Sequence, residues 1–133
     1  MAAELFVDTS AWFAFVDRRD PDHRAVRTAL RKHDGRLVSS TYVLDEVVTL
    51  CRYRLGHEPA VRVGRTLLDP AVVDLVRITS DDELAAWQLF EARADKEYSF
   101  TDCTSFTLMR RLEIDVAIAV DEDFTQEGFQ VMP

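Results

Sequence analysis

Short apolar runs of strand length alternate with longer stretches whose apolar positions recur at helical spacing. Leu5-Phe6-Val7 reads as a strand and ends at Asp8-Thr9-Ser10, residues that cap helices. Ser10–Asp17 then reads as a helix burying Trp12, Phe13, Phe15 and Val16, and Asp20-Pro21-Asp22 breaks it. Asp22–His33 is a basic amphipathic helix with Ala25, Val26, Ala29 and Leu30 inward. Leu37-Val38-Ser39 is a second strand, followed by helices over Thr41–Leu55 and Glu58–Leu68. Val72–Ile78 is a third strand. Ser80-Asp81-Asp82-Glu83 fits a capping box for a helix running to Tyr98. Phe100-Thr101-Asp102 opens a helix to Leu112, Val116–Val120 is a buried strand, and Phe129-Gln130-Val131 an edge strand. Alternation of this kind predicts an α/β fold with a central parallel sheet covered on both faces.

The 133 residues suit one domain over 1–133, with no linker, repeat or low-complexity segment. No apolar run is long enough to cross a bilayer, and the N-terminus lacks the pattern of a secretory signal, so the cytoplasm is expected. Cys51 and Cys103 are too few for a disulfide framework and too isolated for a zinc site; both are expected on helices, reduced and buried.

A net charge of −8 speaks against a polyanion partner until its distribution is read. Between Arg18 and Arg65 there are 11 Lys/Arg against 6 Asp/Glu; outside that window there are 5 against 18. Solvated helix faces explain many such charges. The sharper reading is that the basic half tracks a polyanion, with Arg24, Arg27 and Arg31 as contacts, while part of the acidic half holds cations.

Ligands of an open parallel sheet sit beyond the carboxyl ends of its strands. Asp8 follows the first strand and Asp121 the strand Val116–Val120, so both fall at one sheet edge. Asp102 opens a helix at a sheet-to-helix junction. Glu46 lies early in its helix, with Val43 and Leu50 on the same side. Singly, each acid has an ordinary explanation as a cap, turn or surface residue. Gathered, carboxylates repel unless protonated or neutralised, and a hard divalent cation relieves that repulsion. Such an ion can activate water on a phosphate ester without a nucleophilic side chain.

Other chemistries fit poorly. The four glycines never cluster, which excludes phosphate-binding and dinucleotide loops. His23, His33 and His57 form no triad order and are expected at the surface. Trp12, Trp87 and the phenylalanines fall at core-like spacings.

The segments Phe6-Val7-Asp8-Thr9-Ser10-Ala11-Trp12, Thr41-Tyr42-Val43-Leu44-Asp45-Glu46, Tyr98-Ser99-Phe100-Thr101-Asp102-Cys103-Thr104-Ser105-Phe106 and Ala119-Val120-Asp121-Glu122-Asp123-Phe124 occur in this order. Together they resemble the four motifs of PIN domains, and most of all those of VapC-type toxins. The resemblance spans essentially the whole chain.

It implies a three-layer α/β/α sandwich and a Mg²⁺- or Mn²⁺-dependent endoribonuclease. Asp8, Glu46, Asp102 and Asp121 would be the acidic ligands, with Asp123 sharing the metal directly or through water. Thr9 or Ser10 would support the first aspartate. Some relatives carry a further acid one turn beyond the third-motif aspartate; Ser105 stands there instead, which bears on whether a second metal binds. The resemblance also implies a homodimer restrained by a small VapB-like antitoxin. The aromatic Trp12–Phe15 region and the helices after Glu58 are the dimer faces considered. Two other readings remain: a PIN nuclease in RNA processing with no toxin role, and a PIN-like module that binds a partner without cleaving.

Overall fold

The computed structural model describes residues 3–133. Its elements run β1 (Leu5–Val7), α1 (Thr9–Val16), α2 (His23–Lys32), β2 (Leu37–Ser40), α3 (Thr41–Arg54) and α4 (His57–Leu68). They continue through β3 (Val73–Val76), α5 (Ser80–Ala92), α6 (Phe100–Arg111), β4 (Val116–Ile118), α7 (Asp123–Gln126) and β5 (Gln130–Met132). All strand pairs are parallel, in the order β3-β2-β1-β4-β5.

That order fixes where a site can form. From β1 the chain steps outward to β2 and β3, then crosses back to β4 and β5 on the other side. Right-handed crossovers therefore place α1–α4 on one face and α5–α7 on the other. The reversal falls between β1 and β4, where Phe6 pairs with Ala117 and Val7 with Ile118. Crevices open beyond the strand ends at such a reversal.

Central β1 is buried throughout, as a strand covered on both faces requires. On one face Phe6, Phe106, Phe124 and Phe129 form an aromatic core, with Phe106 and Phe124 edge-on at 4.8 Å. On the other, Trp12 is buried, and its indole N–H donates to the Ser39 hydroxyl, which donates to the Val7 carbonyl. This chain satisfies three buried polar groups and locks α1 to the sheet. Gly56, at φ 104°, makes the tight α3–α4 connection that an L side chain would strain. Cys51 and Cys103 are free and buried on α3 and α6, and burial pushes the Cys103 thiol up to about 11.

Several sequence expectations are corrected. α5 stops at Ala92, not Tyr98. Arg93 turns away to a two-pronged pair with Glu127, and Ser99 takes extended geometry to cap α6. The α5 cap is Thr79, one residue before the expected Ser80. β4 ends at Ile118, so Asp121 lies three residues beyond the strand. The single turn α7 was not foreseen; four residues carry too little periodicity to read. Trp87 is 50% exposed and is not a core residue, whereas buried Trp12 offers no dimer face. His23 is half-buried, its Nδ1 donating to the Ala14 carbonyl.

Candidate metal centre at the sheet edge

Asp8 leaves β1 in extended geometry and caps α1. Its backbone N–H donates to the Ile118 carbonyl at 3.0 Å, pinning it beside the end of β4. One carboxylate oxygen, Oδ2, accepts from the Ser10 N–H at 3.2 Å and the Ser10 hydroxyl at 2.6 Å. The same hydroxyl accepts from the Val120 N–H at 3.0 Å. Ser10 thus ties the first acid to the backbone just before Asp121. The Thr9 hydroxyl, by contrast, is buried without a partner.

The other oxygen of Asp8, Oδ1, is buried and unpartnered. Leaving a buried charged acceptor unsatisfied is costly. Burial, opposed in part by Ser10 and reinforced by the Asp121 charge, raises the Asp8 pKa to about 7.

Asp102 sits at the third position of α6, in a capping box with Ser99. The Ser99 N–H donates to Asp102 Oδ2 at 2.9 Å, and the Asp102 N–H donates to the Ser99 hydroxyl at 3.0 Å. Its carboxyl is also raised to about 7, by burial first and by the Asp8 charge second, with Asp123 and Asp121 contributing. Asp123 is half-buried and raised by burial and Asp121, while a hydrogen bond from the Asp102 side works in the opposite direction. Glu97 adds negative charge near Asp123; being exposed on a connecting segment, it gave no signal in the sequence.

The fold therefore brings Asp8, Asp102, Asp121 and Asp123 into one electrostatic neighbourhood. Asp121 is exposed, and its Oδ1 accepts from the Asp123 N–H at 3.2 Å. Glu46 is half-buried on α3, and the charges acting most strongly on Asp102 come from the aspartates instead. Asp45 is exposed. The Ser105 hydroxyl is buried without a partner in the helix that carries Asp102. Among the described residues, no three acidic, histidine or cysteine side chains already converge on one ion position. The donor chemistry still suits a hard divalent cation: oxygen ligands only, an orphaned buried carboxylate oxygen, and aspartates that, among the described residues, form no ion pair.

The arginines divide. Arg27 and Arg31 line a cleft between α1, α2 and α4, whereas exposed Arg24 is not among its lining residues.

A PIN domain profile matches residues 5–129. The 23S rRNA-specific endonuclease VapC20 of Mycobacterium tuberculosis is 37% identical, over 94% of this chain and 95% of that protein. Its crystal structure, described as a sarcin-ricin loop cleaving toxin, superposes with a TM-score of 0.92 over 97% of this chain and 99% of that one. A VapC ribonuclease of Archaeoglobus fulgidus is 27% identical over 90% of this chain and 78% of its own length. A DNA-bound VapBC structure from Salmonella typhimurium shares the fold at a TM-score of 0.70 and 14% identity, over 98% of this chain and 97% of that one. With a profile covering nearly every element and a relative this similar from end to end, the chain belongs to the PIN domain family, as a nuclease of its VapC branch.

Proposed function

We propose that this chain is a Mg²⁺- or Mn²⁺-dependent endoribonuclease, the toxin of a VapBC pair, acting as one nuclease domain on RNA in the cytoplasm. The observation that carries the reading is the buried, orphaned Oδ1 of Asp8 beside Asp102, with both carboxyls raised to about 7 where no cation offsets them. A fold gains no stability from such a cluster, whereas a divalent ion would stabilise it.

Asp8, Asp102 and Asp121 would hold the ion, with Glu46 and Asp123 completing the set. When bound, the ion lowers the pKa of water and offsets charge developing on the phosphate. Ser10 holds Asp8 in position, Ser99 holds Asp102, and the buried hydroxyls of Thr9 and Ser105 are available to the same neighbourhood. The similarity to a 23S rRNA-specific endonuclease supports ribosomal RNA as the substrate. The shared fold with VapBC complexes supports restraint by a VapB-like antitoxin. A homodimer is supported by the exposed Leu84, Trp87 and Phe90 along α5. No described helix is long and apolar enough to cross a membrane.

The test is cleavage of ribosomal RNA with Mg²⁺ or Mn²⁺, with and without EDTA, by wild type, Asp8→Asn and Asp102→Asn. Cleavage by wild type alone, abolished by EDTA, is expected. Equal cleavage by all three would sink the site.

A further inference from the structure

A cleft of about 1060 Å³ lies between α1, α2 and α4. Arg18, Arg27, Arg31 and Arg62 line it with His23, over an apolar floor that includes Phe15, Val16 and Val63. Among the described residues, none of the four arginines pairs with a carboxylate. Two acids flanking Arg18 are turned to backbone: Asp17 accepts from the Arg19 N–H and Asp20 from the Asp22 N–H. Arg27 and Arg31 are four residues apart on α2, so like charges are stacked on one helix face, which weakens a helix. Elsewhere the same chain pairs its arginines closely, as at Arg93 and Arg111. Among the described residues, no ion pair offsets the charge of the cleft.

We propose that this cleft is a phosphate-binding subsite for the RNA strand, separate from the acidic edge. Guanidinium forks match phosphate oxygens in pairs, and four of them make a strong polyanion site. Placement favours RNA over an acidic protein partner. α1 begins at Asp8 on the acidic edge and ends at the cleft, and eight helical residues span about 12 Å. At about 3.4 Å per stacked nucleotide, a strand cut at the edge reaches the cleft within a few steps. The acidic edge alone repels RNA, so the strand needs a positive anchor within reach. Arg18 and Arg62 belong to that anchor, and Arg24 does not.

The inference rests on RNA being the ligand, and the experiment separates the two. A fluorescein-labelled single-stranded 20-mer RNA is titrated with the full chain in EDTA, so that no cutting occurs, between 50 and 200 mM KCl as typical bounds, roughly the range over which phosphate contacts weaken. Arg31→Ala/Arg62→Ala should weaken binding at least about tenfold at the lower salt and flatten the log–log salt slope by about 0.7 per arginine. Arg31→Lys/Arg62→Lys should restore most of the slope, which guards against a folding defect in the alanine pair. Arg77→Ala, at an exposed arginine outside the cleft, should change binding less than about twofold. Wild-type affinity and slope in the alanine pair overturn the proposal. So does loss of binding to labelled poly-glutamate with RNA binding intact, which would make the cleft an acidic-protein site. RNA held through the cleft but never cut in Mg²⁺ or Mn²⁺ supports the subsite while breaking the nuclease reading. Normal cutting with unchanged affinity in the alanine pair does the reverse.

Discussion

Thr79–Asp82 and Ser99–Asp102 are the same local structure built twice. Each is a capping box in which a hydroxyl accepts from an aspartate N–H and the aspartate carboxylate accepts from the cap N–H. Each aspartate is buried at the third position of a helix on the same face of the sheet. Their surroundings differ in kind. Arg111 meets Asp82 with two bonds of 2.8 Å; burial would raise that carboxyl, but Arg111 and Thr79 outweigh it and hold it below the ordinary range. Asp102 meets Asp8, Asp121 and Asp123 instead, and rises to about 7. Capping geometry therefore does not decide an acid's role. The charge the tertiary fold sets opposite it does: one box holds an acid paired with an arginine, and its twin holds an acid among other acids.

The largest expected contrast is in catalysis. Asp102→Asn should reduce RNA cleavage by about a hundredfold or more, the loss of several kcal/mol of transition-state charge stabilisation. Asp82→Asn should leave it within about threefold, since surface-distant pairs seldom couple to a site. Comparable losses in both would erase the distinction.

Stability should invert the ranking. Urea unfolding of Asp82→Asn should show a loss of about 1–2 kcal/mol, less than for a fully buried pair because Arg111 is partly exposed. In the metal-free protein Asp102→Asn should be neutral or stabilising, because it removes repulsion. A larger loss at Asp102 than at Asp82 would contradict the electrostatic account.

The two regions should also pull the pH profile in opposite directions. Burial would raise Glu127, but Arg93, Arg110 and Tyr98 bring it down to about 2. Depressed acids such as Asp82 and Glu127 contribute their full stabilisation above the unfolded value of about 4, and lose it as pH falls through the folded value. Asp8 and Asp102 behave oppositely. With folded values of about 7, the native state binds more protons than the unfolded chain from about pH 4 upward, so stability falls as pH rises toward 7. Thermal unfolding of chelator-treated protein should show a maximum near about pH 4, where the two trends cross. Asp8→Asn should flatten the high-pH limb and Glu127→Gln the low-pH limb. An unchanged high-pH limb in Asp8→Asn would refute the assignment.

The smallest effect is the most local. Ser10→Ala removes both the bond to Asp8 and the acceptor for the Val120 N–H. It should cost about 1–2 kcal/mol by chemical denaturation and lower RNA cleavage with Asp8 still present. Wild-type cleavage in this variant would leave Ser10 with a purely structural role.

Much of this contrast was hidden in the sequence, for definite reasons. β1, β2 and the two-helix connections announce themselves because each carries its own apolar period. Asp8 is legible because a strand and a capping residue adjoin. The pairs Asp82–Arg111 and Arg93–Glu127 span 29 and 34 residues, and no local pattern reports them. For the same reason the end of α5 is not legible: Arg93, the residue that follows it, pairs with Glu127 just before β5. Trp87 and Phe90 read as core positions, yet they are 50% and 39% exposed although Phe100 of α6 lies against both rings at 6.3 and 6.4 Å. Glu46 illustrates the converse: the motif resemblance selects it, while the geometry ties it less tightly to the aspartates than they are tied to one another.

The bond from Ser10 to Val120 spans 110 residues of chain. It has a consequence in time as well as in space. Folding during synthesis proceeds from the N-terminus, so α1 and its capping aspartate are made long before β4 arrives to lie beside β1. Until then Asp8 has neither Asp102 nor Asp121 for company. A nascent chain that ends within α5 carries Arg18, Arg27, Arg31 and Arg62 but neither Asp102 nor Asp121. The acidic cluster is thus complete only once the last quarter of the chain has emerged.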